Sequence, residues 1–181
     1  MPYEIPYFML KHDRMQVLIV FNRLRVDKMK FAEIIDETNI IPELKAADKK
    51  GVLEELSEVI SGHNSSVDKH TLVKVLVERE RLGSTGIGDG VAIPHGKLDS
   101  IRQPIVSFGR SREGLDFDSM DGQPVYLFFL LVAPENSSGY HLQILAKLAK
   151  ILKSSAFRKK LMEVETREDL YDTIVKTDDE P

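Results

Sequence analysis

A chain of 181 residues with 42% hydrophobic and 30% charged side chains has the material for one globular domain with a real core. Its net charge of −4 argues against nucleic acid as the main partner, and the lack of cysteine excludes disulfides and thiolate metal centres. The histidines, His12, His63, His70, His95 and His141, form no ligand-spaced pair, so no metal site is expected.

Residues 1–28 read unlike the remainder. Their apolar run MQVLIVF lies between Arg14 and Arg23. It is far too short to span a bilayer and lacks the small-residue cleavage site of a secretory signal, so no membrane insertion is expected. A strand or a short helix fits it equally. These residues are expected to be an N-terminal extension of unknown role. One reading makes them the product of an upstream start codon, with Met29 opening the domain proper.

The stretch Ile40-Ile41-Pro42-Glu43-Leu44 predicts a short edge strand, where proline is tolerated. Asp48 is placed to cap a helix through about Ser61, with Leu53, Leu56 and Ile60 on one face and Gly62 closing it. A second helix begins near Asp68. Leu72, Val75, Leu76, Arg79 and Leu82 share a broad apolar stripe there, and Gly83 ends it. Arg79 therefore comes near the buried edge at the helix C-terminus. A cation is favourable there, so one reading of Arg79 is a structural salt bridge. Glu80 and Asp89 read as solvated carboxylates with no catalytic step.

The segment 79–97, RERLGSTGIGDGVAIPHGK, concentrates glycine around one proline-histidine pair. Pro94 fixes its own φ and pushes Ile93 into an extended conformation, so His95 is held in a defined place. Gly96 clears space beside it. Two nucleotide motifs fail. A P-loop needs four residues before its Gly-Lys-Ser/Thr, whereas five separate Gly90 from Gly96, and Leu98 supplies no hydroxyl for magnesium. Gly86, Gly88 and Gly90 give GxGxG, and Pro94 stops a helix from following, so the dinucleotide fingerprint is absent.

Beyond this segment, 104–111 reads as a strand of mixed burial and 112–123 as a turn-rich connection. VYLFFLLVAP is a continuous apolar run of strand length, which predicts a central strand covered on both faces. Asn136-Ser137-Ser138-Gly139 predicts a turn and helix cap together. The helix over 140–153 then sets His141, Leu145, Leu148 and Leu152 on its inner face. On the residues alone His141 reads as a capping or core-edge histidine. Further amphipathic helices are predicted at Ser155–Glu163 and 167–175, and 177–181 reads as a frayed acidic tail. The fold class is α/β, a single domain with a mixed central β-sheet flanked by helices on both faces.

An imidazole is substantially neutral and nucleophilic near physiological pH, so a ring nitrogen of His95 suits attack on phosphorus. The stretch STGIGDGVAIPHGKLD resembles the active-site segment of the type-2 (fructose/mannitol-like) IIA domains of the bacterial phosphotransferase system. It is especially similar to their nitrogen-regulatory members. The likeness extends from about 29 to 175, so a IIA domain is expected over 29–176. The resemblance implies that His95 accepts a phosphoryl group from a phosphohistidine on an HPr-like carrier protein. It implies that His141 and Arg79 assist, and it implies neither cofactor nor metal. The amides around Thr85, Gly86, Gly88, Gly90 and Gly96 are expected to form a phosphate-binding loop. Ser84 and Thr85 are expected to orient the loop or bond His95, and Lys97 reads as a plain surface lysine.

The resulting expectation is a cytoplasmic nitrogen-type phosphocarrier that regulates partner proteins by its phosphorylation state. A sugar-specific fructose or mannitol IIA component that passes phosphate to a IIB protein is the alternative. A binding module that kept the fold and lost phosphotransfer is another. No IIB-like, membrane or HPr-like segment is read in these residues, which favours the first.

Overall fold

The computed structural model describes residues 30–137 and 139–177. The readings made above for 1–28, for Ser138 and for the tail from Asp178 lie outside the described residues.

A short 3-10 turn, Phe31–Glu33, leads into β1 (Ile35–Ile41). Two helices follow, α1 (Lys49–His63) and α2 (Lys69–Arg81). Asp48 accepts a hydrogen bond from the Gly51 amide, so the predicted cap forms, and Asp68 caps the second helix by accepting one from the Thr71 amide. The glycine-rich segment is built of short strands: β2 (Gly86–Gly88), β3 (Val91–Ala92) and β4 (His95–Leu98). Next come β5 (Ile105–Leu115), β6 (Val125–Pro134), and the helices α3 (Tyr140–Leu152), α4 (Ser155–Glu163) and α5 (Arg167–Lys176).

The six strands form one mixed sheet in the order β1-β5-β6-β3-β2, with β4 also on β6. β1 runs parallel to β5, β5 antiparallel to β6, and β3 and β4 parallel to β6. The apolar run in β6 lies at the centre for a simple reason: both its faces are covered. Leu127, Phe129 and Leu131 pack with α3, α4 and α5. Phe128, Leu130 and Val132 face the other way, onto α1 and α2. Each such side chain contributes about 1.5–3 kcal/mol by leaving water. Helices thus cover both faces of a mixed sheet, as expected. Among the described residues no helix is long and apolar enough to cross a membrane.

Several local readings change. The edge strand is real but earlier, and Pro42 falls just beyond it. Helix α1 runs through Gly62, which keeps a negative φ and so continues the helix, to His63, with Asn64 as its C-cap. β5 extends through Arg112 to Leu115, into residues expected to be a turn, because Leu115 pairs with Val125 across the sheet. On α2 the buried stripe is Leu72, Leu76 and Glu80, while Leu82 is 85% exposed. On α3, Ile144 is buried where Leu145 is only partly so.

One glycine controls how α2 lies on the sheet. A methyl group at Gly96 would meet Val75 Cγ1 at 2.8 Å and Leu76 Cδ2 at 3.4 Å. Helix and strand therefore approach as closely as a residue without Cβ allows. Gly96→Ala is expected to lower stability by about 1–3 kcal/mol through overpacking, read as a fall in the thermal unfolding midpoint.

Candidate functional site

The strand facing β6 is interrupted at Ile93 and Pro94. Val91 and Ala92 pair with Leu127 and Phe128, and pairing resumes with His95 opposite Leu131. Pro94 has no N–H to offer the ladder, so the chain breaks there. Ile93 is held through its own N–H, which donates to the Thr85 carbonyl at 3.0 Å. Its carbonyl lies 2.9 Å from His95 Nδ1. A carbonyl only accepts, so Nδ1 bears the ring proton and Nε2 the lone pair.

Arg79 completes the tautomer from the other side. Its Nε donates to His95 Nε2 at 3.1 Å, and its Nη1 donates to the Gly83 carbonyl at 3.0 Å. Among the described residues its hydrogen bonds go to a histidine and a carbonyl, not to a carboxylate. The structural salt bridge is therefore not what Arg79 makes. Its place in the last turn of α2, above the close approach at Gly96, brings it over the start of β4.

His95 is half-buried, and burial pushes its pKa below the ordinary value. The hydrogen bond to Ile93 and the charge of Glu80 push upward. The charges of Arg79 and His141 push down. The net result is a neutral ring with a lone pair on Nε2 at physiological pH. His141, in the first turn of α3, is close enough for its charge to act on His95. Its Nδ1 lies at a long 3.4 Å from the Ser137 carbonyl. The N-cap of this helix is Gly139, which supplies no side-chain acceptor to the first turn.

The glycine loop divides. Gly96 sits beside His95, under α2. Thr85 is buried, and both its amide and its hydroxyl donate to Glu80, the latter at 2.6 Å. Ser84 Oγ donates to the Phe117 carbonyl, so Ser84 and Thr85 orient the loop and do not bond the imidazole. The Gly86, Gly88 and Asp89 amides donate to Ser84 Oγ, Ser119 Oγ and Asp121 Oδ2. Gly88, Asp89 and Gly90 all have positive φ and form the turn between β2 and β3. Val91 is four residues from His95 along β6, a separation of ~13 Å at the usual strand rise. The structure does not bring Gly88 and Gly90 to the imidazole; they form a hairpin tip whose neighbouring amides are already engaged.

A profile of the family described as phosphoenolpyruvate-dependent sugar phosphotransferase system, EIIA 2, matches residues 33–177. This chain belongs to that family. A nitrogen regulatory protein of Bradyrhizobium diazoefficiens is 38% identical over 149 residues, 81% of this chain and 95% of that protein. The fructose-specific EIIABC component of Bacillus subtilis is 36% identical over 150 residues, 83% of this chain; the match spans 24% of that longer protein. Among solved structures, nitrogen regulatory protein IIA-Ntr of Neisseria meningitidis superposes with a TM-score of 0.75 at 38% identity, over 80% of this chain and 98% of its own.

In this EIIA type-2 chain, sequence reasoning missed Glu80. The side chain is buried, accepting from Thr85 and from Lys49 Nζ at 3.1 Å, and Lys49 also pairs with Asp118 at 2.8 Å. The signal was present: Leu72, Leu76 and Glu80 are spaced i, i+4, i+8, on the innermost line of α2. A carboxylate on that line must find donors, since a buried charge without partners costs several kcal/mol. Two exposed leucines also lie near the site in sequence, Leu82 three residues after Arg79 and Leu142 next to His141, at 85% and 58% exposure.

The balance of causes on His95 predicts its titration. The imidazole should titrate below the ordinary histidine range, and Arg79→Met should raise the midpoint by removing a repelling cation. A folded-state pKa below the unfolded one means that the unfolded chain binds the proton first. Any stability owed to the neutral ring is therefore full above about 6.5 and lost as pH falls toward the depressed value. NMR titration of the His95 ring protons checks both shifts.

Proposed function

We propose that this chain is a phosphohistidine carrier of the nitrogen type, which takes a phosphoryl group onto His95 Nε2 from a phosphohistidine on an HPr-like protein. The observation that carries the reading is the pair of contacts on the ring, the Ile93 carbonyl at Nδ1 and the Arg79 Nε–H at Nε2, which together put the proton on Nδ1 and leave the lone pair on Nε2. The Nε2 lone pair attacks phosphorus as the donor's P–N bond breaks. A donor ring protonated on its other nitrogen leaves as neutral imidazole. His95 becomes the phosphoimidazolium, its Nδ1–H still donating to the Ile93 carbonyl, so charge and protons balance.

Phosphoryl transfer asks for positioning and for neutralisation of the equatorial oxygens. Arg79 supports this from its anchor on the Gly83 carbonyl. Its Nε covers Nε2 before reaction, so the guanidinium must turn off the ring and onto the phosphoryl oxygens as the donor arrives. A planar fork of donors suits that task. His141 adds an imidazole at the first turn of a helix, where anions are favoured. The exposed Leu82 and Leu142, near Arg79 and His141 in sequence, are apolar side chains that a docking protein donor could cover.

Regulation of partner proteins would follow from the dianionic phosphoryl group placed at His95, a net change of about one negative charge while the ring keeps its Nδ1 proton. Nearly full-length likeness to nitrogen regulatory proteins supports this reading. The fructose-specific relatives support a second one, in which His95 passes its phosphate to a IIB protein.

Incubation with phosphoenolpyruvate, enzyme I and an HPr-like carrier is expected to give acid-labile phosphate on the wild type and none on His95→Ala. Arg79→Met is expected to slow labelling by about 10²-fold or more, the scale for losing a donor to transition-state charge. Phosphate that persists on His95→Ala excludes His95 as the acceptor. Onward transfer to a IIB protein selects the sugar-specific reading.

A further inference from the structure

The buried Glu80 has no part in the transfer step, yet it is bonded to what holds His95. Its carboxylate takes the Thr85 amide at 3.0 Å and 3.1 Å through its two oxygens, and the Thr85 hydroxyl at 2.6 Å. The Thr85 carbonyl takes the Ile93 amide, and the Ile93 carbonyl takes His95 Nδ1. From the far side Lys49, at the start of α1, donates to Glu80 Oε1 at 3.1 Å and pairs with Asp118. The Lys49 ammonium also lies 4.8 Å from the centroid of the Phe117 ring. The carboxylate is thus gripped by three donors from two elements.

Glu80 follows Arg79 directly on α2. One helical turn therefore fixes both ends of the imidazole: Arg79 reaches Nε2 itself, and Glu80 secures the loop whose carbonyl governs Nδ1. We infer that Glu80 is a positioning residue for phosphoryl acceptance at His95, acting through Thr85 and Ile93 on the ring's tautomer and orientation. This inference rests on the carrier reading above for its effect on rate, but its structural half stands without it. Pro94 has no N–H, and across the break its carbonyl accepts from the Leu131 amide at 2.9 Å; the Thr85 contact is the backbone hydrogen bond that holds the Ile93 peptide on the other side. A loop left loose at Thr85 lets the Ile93 carbonyl turn away; only the Arg79 donation to Nε2 then favours the proton on Nδ1, and the ring moves toward a mixture of tautomers.

The test pairs Glu80→Gln with Thr85→Val in the full chain. Glutamine has one acceptor oxygen and sets an NH₂ group against donors; valine removes only the hydroxyl contact. Two readouts are taken. The first is the rate of phosphorylation at His95 in a single turnover, from the phosphorylated carrier protein and, separately, from phosphoramidate as a small donor that needs no docking. The second is the His95 tautomer, read from long-range ¹⁵N–¹H correlations of the imidazole. Glu80→Gln is expected to slow phosphorylation by both donors by about 10²-fold, the scale for ångström-level misplacement. Its ring signals should move from the single Nδ1–H form toward a mixture. Thr85→Val should move both readouts the same way, by less.

A wild-type tautomer in both folded variants overturns the inference. So does a wild-type rate in Glu80→Gln, or a slowed rate with the tautomer unchanged. If Glu80→Gln does not fold, Thr85→Val decides alone. A wild-type protein that takes no phosphate at His95 from the carrier or from phosphoramidate counts against the carrier reading, while the tautomer measurement still judges the hold on Ile93.

Discussion

The hydrogen bond from His95 Nδ1 to the Ile93 carbonyl is the contact on which the arrangement around the imidazole turns. It decides which ring nitrogen carries the lone pair. Everything nearby makes that choice secure or useful. Pro94 interrupts the strand so that a backbone carbonyl can turn to the ring instead of joining the ladder. Burial first, and then the neighbouring Arg79 charge, outweigh the contacts that would favour a charged ring, so the ring is neutral. Arg79 reads the same tautomer from the other edge, since a guanidinium can only donate.

That local arrangement depends on packing some distance away. β4 runs beside β6, whose side chains are buried on both faces and set the plane of the sheet. α2 lies close over β4 because Gly96 has no side chain to hold it off. With a methyl group there, the last turn of α2 would stand further from the strand, and Arg79 and Glu80 would move with it. The residue after the histidine thus matters through the helix above it more than through room beside the ring. In a chain of the EIIA type-2 family, backbone packing and side-chain placement are one construction.

The positions that sequence reasoning judged well share a property: their signals are local. Asp48 and Asp68 cap helices through contacts three residues away. The apolar run of β6 declares two buried faces by composition alone. The misjudged positions depend on partners far along the chain. Leu115 is in a strand because Val125 lies opposite. Leu82 lies past the last helical residue, where a helical stripe no longer governs direction. Glu80 looked like a surface carboxylate because its donors, Lys49 and Thr85, come from another helix and from a loop that had first to be folded back.

The glycine segment shows the division most clearly. Its composition and the Pro-His pair were enough to mark out one imidazole as specially held, because proline restricts φ and glycine relaxes it whatever the surroundings. Arg79 and His141 could be named as companions only by family likeness. Their meeting with His95 needed the sheet, since residues 16 and 46 positions away converge only when α2 and α3 dock on opposite faces. Which glycines attend the imidazole and which only turn a hairpin was likewise a tertiary matter. Bond rotations are a property of the residue, but the direction in which an amide points is decided by what it is packed against.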